Sequence, residues 1–335
     1  MKKEDITLGI CTSFDPSYKH YIAACDELGV KYKIVDLLSS DWIAEIENSN
    51  CDGFLLRPPC DYQERKTIFD ERMYFMHFEM NKAIYPGYKE LYIYECKRNM
   101  AYWLKINGFP HAETRVFTDR KSAHSYFDQC DFPVVFKSNI GYGAKRVQIV
   151  KGKTRAKHLA NRVFGLFHPA MSFGYSPFAY HKKMTFPVPN VGKAQKHYLI
   201  IQDFKNIKWE WRIIKIGNSY FGHQKLLKGE YASGSGKVGW VKPPDDLLNL
   251  AREVSQRGGF NSIALDVFET IDDQYCINEI QSIFGSYNNS QMYIDGKPGR
   301  FQYIDGKFVF EEGEFNQHGS YLLRVAHFLE ILTGA

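Results

Sequence analysis

The 335-residue sequence predicts an α/β protein built from several packed layers. Three observations carry that expectation. Apolar runs alternate with helical patterns through the first part of the chain, which implies a mostly parallel sheet with helices on its faces. The later part holds strand pairs joined by glycine or aspartate turns, the mark of α+β lobes. The composition, 44% hydrophobic and 16% aromatic, fills more core than one small domain needs.

In chain order, Ile6 to Cys11 reads as a strand and Tyr18 to Leu28 as a helix stopped by Gly29. Lys31 to Val35 is a strand, Asp41 to Glu47 a helix and Gly53 to Leu56 a strand. Glu64 to Lys82 predicts one longer helix, whose Phe69, Met73, Met76 and Met80 form a core stripe. A helix over Glu95 to Asn107 closes at Gly108 and Pro110. Thr114 to Phe117 is then a strand, Arg120 to Asp128 a helix, and Pro133 to Lys137 a strand that turns through glycines into Arg146 to Val150. Thr154 to Phe164 is helical, and the proline-containing stretch from about 165 to 196 has no period.

Strands return over Tyr198 to Phe204, Trp209 to Ile216 and Ser219 to Leu226. A polar loop, Gly229 to Gly239, and Pro243-Pro244 lead into a helix, followed by strands Ser262 to Glu269 and Gln274 to Gln281. Tyr293-Ile-Asp-Gly-Lys297 recurs as Tyr303-Ile-Asp-Gly-Lys307, a hairpin signal with an Asp-Gly turn. Two copies make a structural echo, not a solenoid.

Lys plus Arg number 43 and Asp plus Glu 38, a net +5 spread along the chain apart from clusters at His181 to Lys183 and Lys193 to His197. Without a dense basic stripe, anionic small molecules are favoured over nucleic acid as ligands. The seven cysteines never form C-x-x-C, which argues against a disulfide framework and a zinc site. No run approaches the ~18 apolar residues of a membrane helix, and Met1 leads into a strand-like run rather than a signal segment. A cytoplasmic location is expected.

Three stretches carry chemistry. In Phe136-Lys137-Ser-Asn-Ile-Gly141-Tyr-Gly143-Ala-Lys145 an apolar strand delivers a lysine to a glycine turn, a point charge beside exposed amides that suits phosphates. A plain hairpin explains it as well. The P-loop-like Gly234-Ser-Gly236-Lys237 fails, because Tyr231 and Val238 stand where that loop needs glycine and a hydroxyl. Across a two-residue turn at Asp272-Asp273, Asp266 lies opposite Glu279, with Cβ atoms roughly 4.5–5.5 Å apart. Gln281, Ala264, Phe268 and Ile277 share that face, and Leu265, Val267 and Ile280 point away. Like charges so placed repel unless a hard cation such as Mg²⁺ bridges them; a loop one residue longer breaks the register. In Gln202-Asp-Phe204…Glu210-x-Arg212, a strand offers backbone edges, Glu210 an acceptor for hydroxyls and Arg212 a fork for phosphate.

In this order the pieces resemble the ATP-grasp superfamily: a lysine-opened helix at Lys97, a P-V-V-x-K strand with its glycine loop (Pro133 to Gly143), a hinge strand (Ile200 to Phe204), an E-x-R strand, and a hairpin with Asp266 and Glu279-x-Gln281. The resemblance covers roughly residues 94 to 285. It implies an ATP-grasp fold of two lobes clasping ATP, over residues 95–200 and 201–335, preceded by an α/β domain over residues 1–94. It further implies that Lys97 and Lys137 contact the phosphates and that Gly141 and Gly143 form a lid loop. Gln202 and Phe204 offer backbone groups to adenine, and Glu210 holds the ribose. Asp266, Glu279 and Gln281 bind Mg²⁺ (or Mn²⁺), Gln281 standing where the family usually has Asn. Arg212 and Lys225 face phosphate or acyl-phosphate. The expected activity is an ATP-dependent, ADP-forming carboxylate–amine ligase acting on small molecules through an acyl-phosphate. A small-molecule kinase on the same fold is the alternative, and a nucleotide-binding regulator without turnover is disfavoured by retention of both carboxylates and both lysines.

Overall fold

The computed structural model describes residues 2–14, 16–60, 62–141, 147–165, 197–229, 232, 235–284 and 288–334. The β–α alternation of the first part folds as one parallel sheet. β1 (Thr7–Cys11), β2 (Lys31–Val35), β3 (Gly53–Leu55) and β4 (Ile84–Tyr85) lie in the order β2-β1-β3-β4. Helices α1 (Lys19–Leu28) and α2 (Trp42–Asn48) fill the first two connections, and Gly29 ends α1 in the left-handed conformation. The helix expected from Glu64 to Lys82 is shorter. α3 spans Gln63–Tyr74, widens into a π-helical turn at Phe75–Glu79, and the left-handed Asn81 then reverses the chain toward β4. Its stripe is core: Phe69, Met73 and Met76 are fully buried.

α4 (Tyr88–Ile93) has no counterpart among the sequence expectations. It is fastened by Glu90, whose carboxylate accepts from the Gly87, Asn261 and Ser262 N–H groups at 2.5, 2.9 and 3.0 Å. α5 (Lys97–Ile106) follows, and its Met100 and Leu104 join the core of the last sheet.

The second sheet is antiparallel. β5 (Thr114–Phe117), α6 (Arg120–Gln129), β6 (Val134–Lys137), β7 (Val147–Val150), α7 (Lys153–Phe164) and β8 (Leu199–Asp203) follow in sequence, and the strands lie in the order β5-β8-β6-β7. Phe127, Phe136, Leu159 and Ile201 pack between sheet and helices.

The third sheet presents the site. It comprises β9 (Ile207–Ile216), β10 (Ser219–Lys225), β11 (Val238–Gly239), β12 (Ser262–Thr270), β13 (Tyr275–Gln281), β14 (Tyr293–Ile294), β15 (Lys297–Ile304) and β16 (Lys307–Glu312). Its main order is β13-β12-β9-β10-β15-β14. α8 (Asp245–Gly258) begins after Pro244 and buries Leu247, Leu248, Ala251 and Val254 against it. Both copies of the repeated pentapeptide are turns, with Asp295, Gly296, Asp305 and Gly306 all at positive φ, as a type I′ hairpin requires.

The last helix, α9 (Tyr321–Thr333), returns to the first sheet, where Tyr321, Val325, Phe328 and Leu329 complete the core. The approach is close: a Cβ on Gly53 of β3 falls 2.4 Å from Phe328 Cζ, so only glycine fits there. No helix among the described residues is long and apolar enough to cross a membrane.

Candidate functional site

Strand register assembles the site. Across the third sheet, Glu279 lies opposite Asp266, Asp266 opposite Arg212, and Arg212 opposite His223. One step along, Phe268 lies opposite Glu210 and Glu210 opposite Lys225. Because side chains alternate faces with period 2, both rows point the same way. Asp266, 1% exposed, receives a two-pronged contact from Arg212, Nε to Oδ1 at 2.9 Å and Nη2 to Oδ2 at 3.0 Å. Lys225 Nζ lies 2.5 Å from Asp266 Oδ2 and 2.7 Å from Glu210 Oε1. Burial alone would raise the Asp266 carboxyl; Arg212 and Lys225 hold it well below the usual carboxylate range. The like-charge repulsion expected between Asp266 and Glu279 is therefore not what sets this pair. Each carboxylate has a cation of its own, Glu279 being 3.4 Å from Lys97 Nζ.

The Asp266–Glu279 pairing arises by a different route from the expected turn. The loop holds three residues, Ile271 to Asp273, with Asp273 left-handed and Thr270 N–H bonding Gln274 O at 3.0 Å. That extra residue shifts the ladder by one, so Val267 faces Ile277. A β-bulge at Asn278 then restores the register, and Asp266 meets Glu279. Two corrections follow. Ile277 belongs with Val267 in the buried core instead of on the carboxylate face. Asn278 enters the site: it accepts from Lys137 Nζ at 2.8 Å and donates to Glu210 Oε2 at 2.9 Å. The adjacent polar residues Asn278 and Glu279, which break strict alternation, were the sequence signal for the bulge.

Two lysines reach this face from outside the sheet. Lys97 opens α5, whose first amides are capped by Asn139: its backbone O accepts from Lys97 N–H at 3.1 Å and its Oδ1 from Arg98 N–H at 3.0 Å. Lys97 Nζ donates to Gly141 O at 2.8 Å, so the loop after β6 is drawn over the start of α5. Gly141 has φ 138°, open to glycine and strained for other residues. Lys137 ends β6 and is 7% exposed; burial, offset in part by Glu279 and Glu210, lowers its ammonium to about 8. His223, whose Nδ1 donates to Gln291 O at 2.8 Å, is lowered by burial to about 4 and is neutral at pH 7.

The other expected residues are placed as follows. Gln281 lies on the carboxylate face, its Oε1 3.4 Å from Arg212 Nη2. Glu210 is 1% exposed and fully engaged by Lys225 and Asn278, an interior link of the network. Gln202 is flanked by Thr114 on β5 and Val135 on β6, so its backbone lies inside the sheet and offers no free edge. Its side chain bonds Thr114 Oγ1 at 3.1 Å, and Asp203 N–H already bonds Glu113 O. Phe204 is the first residue past the strand. Gly143 lies outside the described residues. Among those residues, no cluster of three or more His, Cys, Asp or Glu side chains is set to hold a metal. A cleft of about 360 Å³ beyond the first turn of α5, lined by Asp70, Tyr74, Tyr88 and Arg98 among others, contains none of the sheet carboxylates.

The arrangement can neutralise a polyanion: Lys97, Lys137, Arg212 and Lys225 converge over three carboxylates and two amide side chains. No protein-family model matches the sequence, and no curated protein matches it. Solved structures do. The structure of D-cycloserine synthetase DcsG aligns with TM-score 0.61 and 13% identity over 96% of this chain and 99% of that one. A RimK domain ATP-grasp protein from Sphaerobacter thermophilus aligns with TM-score 0.52 and 15% identity over 82% and 90%. The ATP-grasp ligase PsnB, solved with minimal precursor, Mg and ADP, aligns with TM-score 0.52 and 11% identity over 86% and 93%. This chain has the architecture of the ATP-grasp fold.

Proposed function

We propose that the protein is an ATP-dependent, ADP-forming ligase that joins a small carboxylic acid to an amine through an acyl-phosphate. The observation that carries this reading is the convergence of Lys97, Lys137, Arg212 and Lys225 on one buried face beside Asp266 and Glu279. In phosphoryl transfer a protein does little covalent work; it positions groups and stabilises charge on the transferring phosphoryl. Lys97 and Lys137 would hold ATP phosphates at the α5 N-terminus, whose dipole favours anions. Arg212 and Lys225, now spent on Asp266 and Glu210, would turn to the incoming phosphoryl. Glu210 would then be free to meet the ribose, and Phe204 is the first residue able to offer backbone to the adenine.

The donor set fits a magnesium ion. Asp266 and Glu279 stand side by side with the Gln281 amide, and Mg²⁺ is commonly held by one or two carboxylates plus substrate phosphate. When bound, the ion would supply charge neutralisation between phosphates and sheet. PsnB was solved with Mg and ADP, and DcsG is a synthetase, which supports the same reading here.

Phosphorus NMR of the protein with MgATP and a panel of carboxylic acids, with hydroxylamine as the amine, tests it. ADP and inorganic phosphate with a matching hydroxamate are expected. A stable phosphorylated product that needs no amine makes the protein a kinase instead. Unchanged ATP across the panel leaves the ligase reading without its chemistry.

A further inference from the structure

Among the described residues, one carboxylate beside the site has no hydrogen-bond partner. Glu95 connects α4 to α5, two residues before Lys97. It is 5% exposed, and its Oε2 is buried without a hydrogen bond among the described residues. Its backbone is left-handed, φ 52°, a conformation that costs a residue other than glycine, asparagine or aspartate and that clusters at functional sites. A buried, unpartnered carboxylate is a large penalty unless something positive fills the place beside it.

Glu279 and Lys97 are the charged groups that weigh most on Glu95, with Lys66 and Asp266 behind them. Neither of the two cations is free to supply the missing positive charge. Lys66 is fully buried but already donates to Asp70 and to Leu91 O. Lys97 is shared with Gly141 O at 2.8 Å and Glu279 Oε1 at 3.4 Å. Asp266 is saturated by Arg212 and Lys225. Glu279 thus has only an already engaged ammonium at the first turn of α5, and Glu95, two residues before Lys97, has no cation within ion-pair distance among the described residues.

We propose that Glu95 joins Glu279 in binding a divalent cation at the first turn of α5, the rest of its coordination coming from nucleotide phosphate and water. The inference rests on the reading that this face takes nucleotide phosphate. Two carboxylates and a phosphate suit a hard ion that keeps several waters, and would explain why a strained, buried glutamate stands just before the helix.

Manganese is the probe. Binding of Mn²⁺ is followed by electron paramagnetic resonance with and without the non-hydrolysable analogue AMP-PNP, and thermal melts are run in EDTA. For Glu95→Gln, Mn²⁺ affinity in the presence of AMP-PNP is expected to fall by about 100-fold, the upper end of what loss of a group supporting a metal costs. The melting temperature in EDTA is expected to hold or rise, because an amide does not repel Glu279. Glu95→Asn, which suits the left-handed backbone, guards against misfolding and is expected to lose Mn²⁺ equally. Unchanged Mn²⁺ affinity in either folded variant overturns the proposal, and a lower melting temperature alongside it assigns Glu95 a structural role alone. Failure of the wild-type protein to bind Mn²⁺ with AMP-PNP overturns the nucleotide reading itself, and the proposal with it.

Discussion

Replacing Asp266 by asparagine tests whether the carboxylate row is held together by ion pairs. Asp266 is 1% exposed and takes both guanidinium nitrogens of Arg212 at 2.9 and 3.0 Å, with Lys225 at 2.5 Å. Asparagine keeps the volume but removes the charge, leaving Arg212 without its carboxylate and Lys225 with Glu210 alone. Breaking a buried pair by removing one partner costs about 3–5 kcal/mol. At roughly 2 °C per kcal/mol for a chain of this size, the melting temperature should fall by roughly 6–10 °C without nucleotide. Scanning calorimetry in EDTA measures it. The opposite sign is what simple repulsion between Asp266 and Glu279 requires, since removing one charge would then relieve strain. A variant as stable as the wild type, or more so, refutes the ion-pair description of the site.

Asn278→Ala removes the bridge between Lys137 and Glu210. Denaturant unfolding should show a loss of about 2–3 kcal/mol, the cost of leaving buried charged groups one partner short. Lys137 gives a pH dependence whose sign is fixed. Its ammonium is lowered from the ordinary 10.5 to about 8, mainly by burial, so between those values the unfolded chain binds more protons than the folded one. Its contribution to stability therefore rises with pH over that window. Nucleotide binding runs the other way, because phosphate needs the charged lysine. Affinity for Mg-AMP-PNP should fall above about pH 8 in the wild type and stay flat in Lys137→Arg.

Much of the architecture was legible in the sequence because helices and strands there obey their periods. Thr114–Phe117 forms as expected, and the first sheet is parallel, as β–α alternation implies. What escaped notice lies where local pattern is overridden. α4 is only six residues long and is tied down by Glu90, whose partners at Asn261 and Ser262 are remote in sequence. The expected helix from Glu64 fails at its end, where a π-helical turn and Asn81 redirect the chain. In the site, residue types led to an expectation of phosphate and metal chemistry, yet their present partners could not be read. That Arg212 and Lys225 neutralise Asp266 follows from the pairing of β9, β10 and β12, a tertiary fact. Asn278 is visible only as a break in alternation, and Glu95 only once burial and lack of a partner are known.

The central claim is that this sheet face binds Mg-nucleotide through lysines delivered by α5 and β6. Isothermal titration of Mg-AMP-PNP into the wild-type protein and Lys137→Ala tests it most directly. Loss of one charge-assisted contact, worth about 1.5–3 kcal/mol, should weaken binding by roughly 10- to 100-fold. Equal affinity in the two proteins, or no binding to the wild type, contradicts the account.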